Sequence, residues 1–270
     1  MNAPALKAFL DAAPAATLVE VAEAKGSTPR DKGARMLVSP IGIFGTIGGG
    51  QLEFMAIDKA RELLAAHATG SAVRLSIPLG PEIGQCCGGR VELAIRVIDP
   101  ALKSEIVADA EAGDLALPHI YLFGGGHVGH ALASALALLP VRVIVVETRA
   151  EALEGMPAGV ETRLTAMPEE MVRAAPAGAA VLILTHDHAL DFLIVAEALK
   201  RSDIAYVGMI GSATKKATFR SWYLKTAGGN EAAFRRLVSP IGGDAVKDKR
   251  PAVIAALAAA EILAAMLPKA

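Results

Sequence analysis

The chain has 270 residues, of which 53% are hydrophobic and 20% charged, a composition that favours one or two folded domains over disorder. A formal net charge of −1 gives no electrostatic reason to expect a nucleic acid, an anionic membrane or a polyanionic partner. Apolar runs such as residues 131–139 are far shorter than the ~20 residues that span a bilayer, and no signal-peptide pattern opens the sequence, so we expect a cytoplasmic protein.

The first hundred residues predict a mixed, β-rich α/β domain. A helix is expected from about Gln51 to His67, where apolar residues recur at helical spacing. We assign residues 1–100 to this domain and residues 101–118 to a segment of helix and linker. Alternating and β-branched residues predict its strands at 17–24, 34–39, 43–47, 73–77 and 91–98.

Residues 119–270 follow a different pattern, in which short apolar strands alternate with helical segments. This alternation predicts βαβ units in a parallel sheet, ending in a helix from Pro251 through Met266. The fold class is therefore α/β, with an N-terminal mixed β-rich α/β domain followed by a Rossmann-like parallel-sheet domain. The predicted strands of the second domain are 119–126, 141–147, 160–164, 180–185 and 204–211.

A glycine loop opens the second domain. Gly124, Gly126 and Gly129 form a G-x-G-x-x-G pattern between a predicted strand and a predicted helix. In such loops the glycines permit a tight turn, a close phosphate and close helix packing. Glu147 lies about twenty residues further on, where a ribose-binding acid belongs. The pattern predicts the fold more firmly than a nicotinamide cofactor, and His127 within the loop is a candidate donor or base.

A second polar loop, Thr185 to His188, follows the strand at 180–185 and should face the same edge of the sheet. Three interpretations stay open: a ligand-facing loop with His186, a metal or proton-relay site, and helix capping by Asp187. Lys215, after the next strand, would complete an anion pocket or belong to a solvated helix face.

The two cysteines of the chain, Cys86 and Cys87, are adjacent and lie between Gln85 and Gly88. A disulfide between sequence neighbours is strained, so a structural cross-link is a poor explanation. Flanking glycines leave the sulfurs approachable, and thiolates are nucleophiles and soft metal ligands. Two thiols alone fall short of the four ligands of zinc. We therefore expect thiol chemistry or ligation of another metal, with an inert loop as the alternative.

Two further loops of the first domain suit an anion. Arg30 lies in a turn-rich segment, and its forked donors match phosphate or carboxylate. Gly49 and Gly50 precede the predicted helix that starts at Gln51, where backbone N–H groups attract anions. The alternative is that both are ordinary surface loops.

Six segments together resemble the XdhC/CoxI family, and the QCCGG sequence around Cys86 and Cys87 is most similar to the XdhC branch, the xanthine dehydrogenase accessory proteins. The similarity runs through nearly the whole chain. The segments are 26–36, 45–53, 79–93, 123–132, 208–219 and 239–242.

The resemblance implies a homodimeric chaperone without turnover of its own, which binds molybdenum cofactor (molybdopterin) and protects it. It further implies sulfuration of the cofactor with a cysteine desulfurase and delivery to the molybdenum-binding subunit of xanthine dehydrogenase. Under this resemblance Cys86 and Cys87 are the thiols nearest the molybdenum or the transferable sulfur. The cofactor phosphate would bind at Arg30 and the Gly48–Gly50 turn, or at Gly124–Gly129.

Two other functions fit parts of the sequence. An NAD(P)-dependent oxidoreductase would use Gly124, Gly126, Gly129 and Glu147 with a histidine as acid or base, but it leaves the cysteines idle. A redox thiol sensor would use the cysteines but would assign no function to the Rossmann half.

Overall fold

The computed structural model describes residues 2–66, 72–81 and 88–267. The chain divides into two compact units, Met1–Ala116 and Leu117–Ala270. The first contains an antiparallel sheet and the second a parallel one, which confirms the predicted fold class. Among the helices within these described ranges, none has both the length and the apolar character to cross a membrane.

The first unit is built on a five-stranded antiparallel sheet in the order β3-β2-β1-β5-β4. Because side chains alternate along β1, Val19 and Val21 face helix α2 while Leu18 faces helices α1 and α3. The elements are α1 Ala3–Ala12, β1 Thr17–Lys25, β2 Arg35–Val38, β3 Ile43–Gly45, α2 Gly50–Ala65, β4 Ala72–Pro78, β5 Arg90–Val97 and α3 Pro100–Leu115.

Helix α3 belongs to the core of this unit. Asp99 caps its first turn by accepting the Leu102 N–H at 2.8 Å. Its side chains Leu102 and Ile106 are buried with residues of α1 and the sheet. The Ala3 N–H donates to Asp114 at 2.8 Å, which ties the start of α1 to the end of α3. The segment 101–118, expected as helix and linker, thus contributes a packed helix, and α1 was not predicted.

The second unit is a six-stranded parallel sheet in the order β11-β10-β9-β6-β7-β8. Two apolar cores lie on its opposite faces, one around Phe123 and one around Leu122. The strands are β6 His119–Phe123, β7 Arg142–Glu147, β8 Glu161–Leu164, β9 Ala180–Ile183, β10 Tyr206–Met209 and β11 Leu237–Val238. The helices are α4 His127–Leu136, α5 Pro168–Ala174, α6 His188–Lys200, α7 Ala213–Lys225, α8 Glu231–Phe234 and α9 Pro251–Met266, with a 3₁₀ turn at Ala150–Leu153.

The parallel register places the loops after β6, β7, β9 and β10 at one edge of the sheet. Phe123 pairs with Val146 and with Ile183, and Ile183 pairs with Met209. The glycine loop, Glu147 and the Thr185 loop therefore share the edge at which doubly wound sheets bind ligands.

We predict that a fragment of residues 1–116 unfolds cooperatively on its own, whereas a fragment of residues 1–99 does not. Removal of α3 would expose the apolar face around Leu6 and Leu18, which Ile106 covers. Circular dichroism during urea titration of both fragments provides the measurement. Equal stability of the two fragments would contradict the place of α3 in this core.

Candidate functional site

The glycines of the second unit allow helix α4 to start directly on the end of β6. Gly124 has φ +121°, and a Cβ there would lie 2.6 Å from the Leu184 carbonyl oxygen. A Cβ on Gly129 would lie 2.1 Å from the Gly124 carbonyl oxygen. The first and third glycines of the pattern are therefore required by the backbone geometry of the Rossmann turn, whatever the unit binds.

Gly126 leaves the N-terminus of α4 open. It is the N-cap residue and has no side chain to accept the first N–H groups of the helix. Gly126 and His127 are exposed, and a Cβ on Gly126 would meet nothing within 4 Å. No side-chain cap occupies these N–H groups, and the binding of an anion there stays a prediction.

Backbone N–H groups of the protein already bind both carboxylate oxygens of Glu147. Its side chain is buried, and Oε2 accepts the Gly125 N–H at 2.9 Å while Oε1 accepts the Thr148 N–H at 2.7 Å and the Arg149 N–H at 3.2 Å. Burial opposes ionisation, but the hydrogen bonds from Gly125 and Thr148 outweigh it and lower the pKa of Glu147. A ribose hydroxyl would have to compete with these bonds, so the geometry gives little support to a ribose-binding role.

The loop after β9 caps a helix. Asp187 Oδ1 accepts the Ala189 N–H at 2.7 Å and the Leu190 N–H at 3.3 Å, and these bonds lower the pKa of Asp187. His186 and His188 are exposed beside it. Within the described ranges, no three histidine, cysteine, aspartate or glutamate side chains group to hold a metal ion. The capping interpretation of Asp187 is confirmed, and His186 remains a ligand-facing prediction.

A buried ion pair that the sequence did not predict joins helices α6 and α7, which follow β9 and β10. Lys215 donates to Asp191 Oδ2 and, at 3.0 Å, to the Ile210 carbonyl oxygen. Asp191 Oδ1 accepts the Thr185 hydroxyl at 2.6 Å. Lys216 donates to the Ser239 carbonyl oxygen at 3.2 Å. Both lysines thus satisfy protein acceptors rather than form an open anion pocket. The available signal was an acid, Asp191, directly before the apolar run at residues 192–196 of α6.

Three segments of the first unit meet in what we call the glycine cluster, residues 26–30, 48–50 and 88–89. A Cβ on Gly48 would lie 2.6 Å from Pro29 Cγ, and one on Gly89 would lie 2.2 Å from the Ser27 carbonyl oxygen. The Gly88 N–H donates to the Leu79 carbonyl oxygen at 2.9 Å. Gly88 follows Cys87 in the sequence. Gln85, Cys86 and Cys87 themselves lie outside the described residues.

Glu53 fixes the Gly48–Gly50 turn. Its Oε1 accepts the Ile47 N–H at 2.9 Å, the Gly48 N–H at 3.2 Å and the Thr46 hydroxyl. Partial burial raises the pKa of Glu53, but the hydrogen bonds from Thr46 and this backbone lower it more. The N–H groups just ahead of α2, on which an anion was expected to bind, are therefore already partly paired with a carboxylate.

Arg30 is the exposed cation of the glycine cluster. Its Cγ lies 3.6 Å from the position of a Cβ on Gly48, which places it against the Gly48–Gly50 turn. Its guanidinium makes no ion pair with any side chain in the described part of the chain. Arg35, by contrast, is bound to Asp109 at 2.8 Å and Glu20 at 3.5 Å. Of these two arginines, Arg30 is the one whose charge no side chain of the described residues compensates.

We predict that Glu147→Gln lowers the free energy of unfolding by about 1–3 kcal/mol at pH 7, because an amide cannot accept all of these N–H donors. The folded-state pKa lies below the ordinary 4.5, so the contribution is present above that value and lost as pH falls through the folded pKa. The difference in free energy of unfolding between wild type and variant should become smaller in acid. Urea titrations at several pH values would measure it. Glu151→Gln, at an exposed position, is the control. A difference in free energy of unfolding that grows in acid would contradict the proposed role of the Glu147 hydrogen bonds.

We predict that Gly89→Ala destabilises the first unit by about 1–3 kcal/mol, because the new Cβ would collide with the Ser27 carbonyl. The matched control is Gly80→Ala, where a Cβ meets nothing within 4 Å, and its change should stay within about 0.5 kcal/mol. Chemical denaturation measures both. Equal effects would mean that residues 26–30 and 88–89 do not touch in solution.

Comparison with known proteins agrees with this architecture. The sequence model of the XdhC and CoxI family matches residues 10–76, and the model of the XdhC Rossmann domain matches residues 120–262. The uncharacterized protein YqeB of Escherichia coli strain K12 is 29% identical over 262 residues. That match covers 91% of this chain but 42% of YqeB, so the chain spans less than half the length of this relative.

A solved chain described as a xanthine dehydrogenase from Bacillus halodurans has the same fold. It superposes with a TM-score of 0.79 at 16% identity, and the match covers 97% of this chain and 95% of the other. At that identity the likeness shows the fold alone. Since the Rossmann model by itself matches more than half of the sequence, the chain belongs to the XdhC and CoxI family.

Proposed function

We propose that the protein is an accessory factor in xanthine dehydrogenase maturation that binds molybdenum cofactor, protects it and supports its sulfuration before delivery. Family membership supports the accessory role. The molybdenum-binding subunit of xanthine dehydrogenase and a cysteine desulfurase are the proposed partners, with the chain acting as a homodimer.

The observation that carries this proposal is the glycine cluster. Arg30, with its uncompensated charge, lies against the Gly48–Gly50 turn, and Gly88 of the same cluster is the residue after Cys87. The guanidinium of Arg30, a group suited to phosphate, therefore belongs to a cluster whose Gly88 directly follows the two thiols in the sequence. Molybdopterin carries a phosphate and a metal with affinity for sulfur, so the guanidinium suits the first group and the thiols suit the second.

Two glycines of the cluster are open toward the described part of the chain. A Cβ added to Gly49 or to Gly88 would meet none of the described atoms within 4 Å. When bound, the cofactor would supply the molybdenum centre at which sulfur is exchanged for oxygen. This chain would hold the phosphate with Arg30 and offer Cys86 and Cys87 as soft ligands, with Gln85 beside them. Small residues at Gly49 and Gly50 would leave the backbone accessible, and Gln51 would lie on the first turn of α2.

The second unit fits nicotinamide chemistry less well. Both oxygens of Glu147 already accept backbone N–H groups, so the ribose contact of a dinucleotide is not prepared. The open N-terminus of α4 at Gly126 would bind a phosphate of many ligands and does not select a nicotinamide. We therefore favour the maturation role over the oxidoreductase.

We predict that the protein, purified anaerobically from a host that makes molybdenum cofactor, retains molybdopterin, and that the Cys86→Ser/Cys87→Ser double variant loses it. Serine oxygen is a poor substitute for a soft thiolate ligand. Molybdenum analysis and the fluorescence of oxidised pterin measure retention. Thr218→Ala, which removes an exposed hydroxyl of the second unit, is the control and should retain the wild-type content.

Two results would contradict the proposal. Wild-type protein purified without bound pterin would contradict the proposal that the protein binds the cofactor. A double variant with wild-type pterin and molybdenum content would leave cofactor binding intact but remove the role of the thiols.

A further inference from the structure

A groove of about 410 Å³ opens in the first unit beside the glycine cluster. Its volume falls in the range typical of small-molecule sites. One side is formed by the loop before β2 and the end of β3, and the other by helix α3. The lining residues are Arg30, Gly33, Ala34, Arg35, Gly45, Thr46, Ile106, Asp109 and Ala110. We call it the Arg30 groove.

Part of the lining of the Arg30 groove is backbone that hydrogen bonds and close contacts hold in place. The Gly33 N–H donates to the Val21 carbonyl oxygen at 2.8 Å, and the Val21 N–H donates to the Ala34 carbonyl oxygen at 2.9 Å. Gly45 has φ +85°, and a Cβ there would lie 2.7 Å from the Arg35 carbonyl oxygen. A Cβ on Gly33 would meet none of the described atoms within 4 Å, so the backbone at Gly33 is open to the face of a ring.

The groove contains both positive and negative side chains, and they differ in whether another side chain of the described residues pairs with them. Arg30 is exposed and is without an ion-pair partner among the described residues. Asp109 has 52% of its side chain exposed and uses Oδ2 to bind Arg35 at 2.8 Å. Its Oδ1 accepts no hydrogen bond from the described residues, so a hydrogen-bond acceptor faces the open space. The groove thus combines an available cation with an available carboxylate oxygen.

Thr46 connects the groove to the glycine cluster. Its hydroxyl donates to Glu53 and accepts the Gly48 N–H at 3.1 Å, so one residue lines the groove and holds the Gly48 turn. Arg30 also belongs to both places. A ligand in the groove would therefore extend directly toward the cluster that contains Gly88.

We propose that the Arg30 groove binds the pterin end of the cofactor. Arg30 binds the phosphate, and the Asp109 carboxylate accepts hydrogen bonds from the amino-oxopyrimidine edge of the ring, which presents neighbouring N–H donors. The small residues Gly33, Ala34 and Gly45 lie against the face of the ring. This assignment rests on the proposed function: the groove offers a cation and a carboxylate oxygen, which suit a phosphorylated heterocycle with N–H donors, and the function names that heterocycle.

The test uses the full chain, prepared without cofactor, and molybdopterin released anaerobically from a purified molybdoenzyme. Equilibrium ultrafiltration followed by fluorescence of the oxidised pterin gives the Kd. Arg30→Gln and Asp109→Ala should each raise Kd by about tenfold or more, the usual cost of losing a hydrogen bond to a charged group. Arg30→Gln removes no ion pair within the described ranges, so it stays informative even if Asp109→Ala fails to fold.

Matched controls are available in the same unit. Glu111 lies on α3 like Asp109, is 50% exposed and is likewise held by one cation, Lys7, but it does not line the groove. Arg74 is exposed on β4, at the opposite edge of the sheet from β3. Glu111→Ala and Arg74→Gln should leave Kd within about twofold of wild type.

Repeating the titrations with phosphatase-treated ligand separates the two contacts. The Arg30→Gln effect should disappear with the dephosphorylated ligand, whereas the Asp109→Ala effect should persist. If the wild-type protein binds neither ligand, both the proposed function and the assignment of the groove are wrong. If the wild-type protein binds and the groove variants have the same Kd as their controls, only the assignment of the groove is wrong. An Arg30→Gln effect that is independent of the phosphate would overturn the assignment of Arg30.

Discussion

In each unit a glutamate carboxylate holds a glycine-rich loop by accepting the N–H groups of its backbone. Glu53 does so for the turn ahead of α2, and Glu147 does so for the loop between β6 and α4. Hydrogen bonds to a charged acceptor contribute about 1.5–3 kcal/mol each, so these bonds are strong enough to fix loops that glycine would otherwise leave adaptable. The lowered pKa values of both carboxylates follow from the same bonds.

This constraint decides where an external anion can bind. An N–H group that already faces a carboxylate is a poor phosphate donor, and the negative charge of that carboxylate repels a second anion. In the first unit the remaining positive charge beside the glycine turn is that of Arg30. In the second unit the open N–H groups lie further along, at Gly126 and the first turn of α4. The glycine loops would therefore act as rigid frames beside the proposed anion sites.

The sequence predicted most of this fold because its signals are local. The G-x-G-x-x-G spacing identified the Rossmann unit, and the helix from Pro251 through Met266 begins and ends as expected. The pairing partners were not predictable, because they depend on residues distant in the chain. The hydrogen bond from Gly125 to Glu147 could not be read from the sequence, and the ligand role of Glu147 stays a prediction. Lys215 was expected at an open pocket or a solvated face but is buried against Asp191. The role of α3 in lining the groove could not be predicted for the same reason. Asp109 of α3 contacts Arg35 of β2 only once the unit has folded.

The claim that ties these features together is that the cofactor lies in the first unit, with its phosphate on Arg30. A crystal structure of the full chain with molybdopterin, grown anaerobically, tests it most directly. The account predicts density for the ring between α3 and the loop before β2, with the phosphate against the Arg30 guanidinium. Density for the phosphate at the N-terminus of α4, against Gly126 and His127, would contradict it.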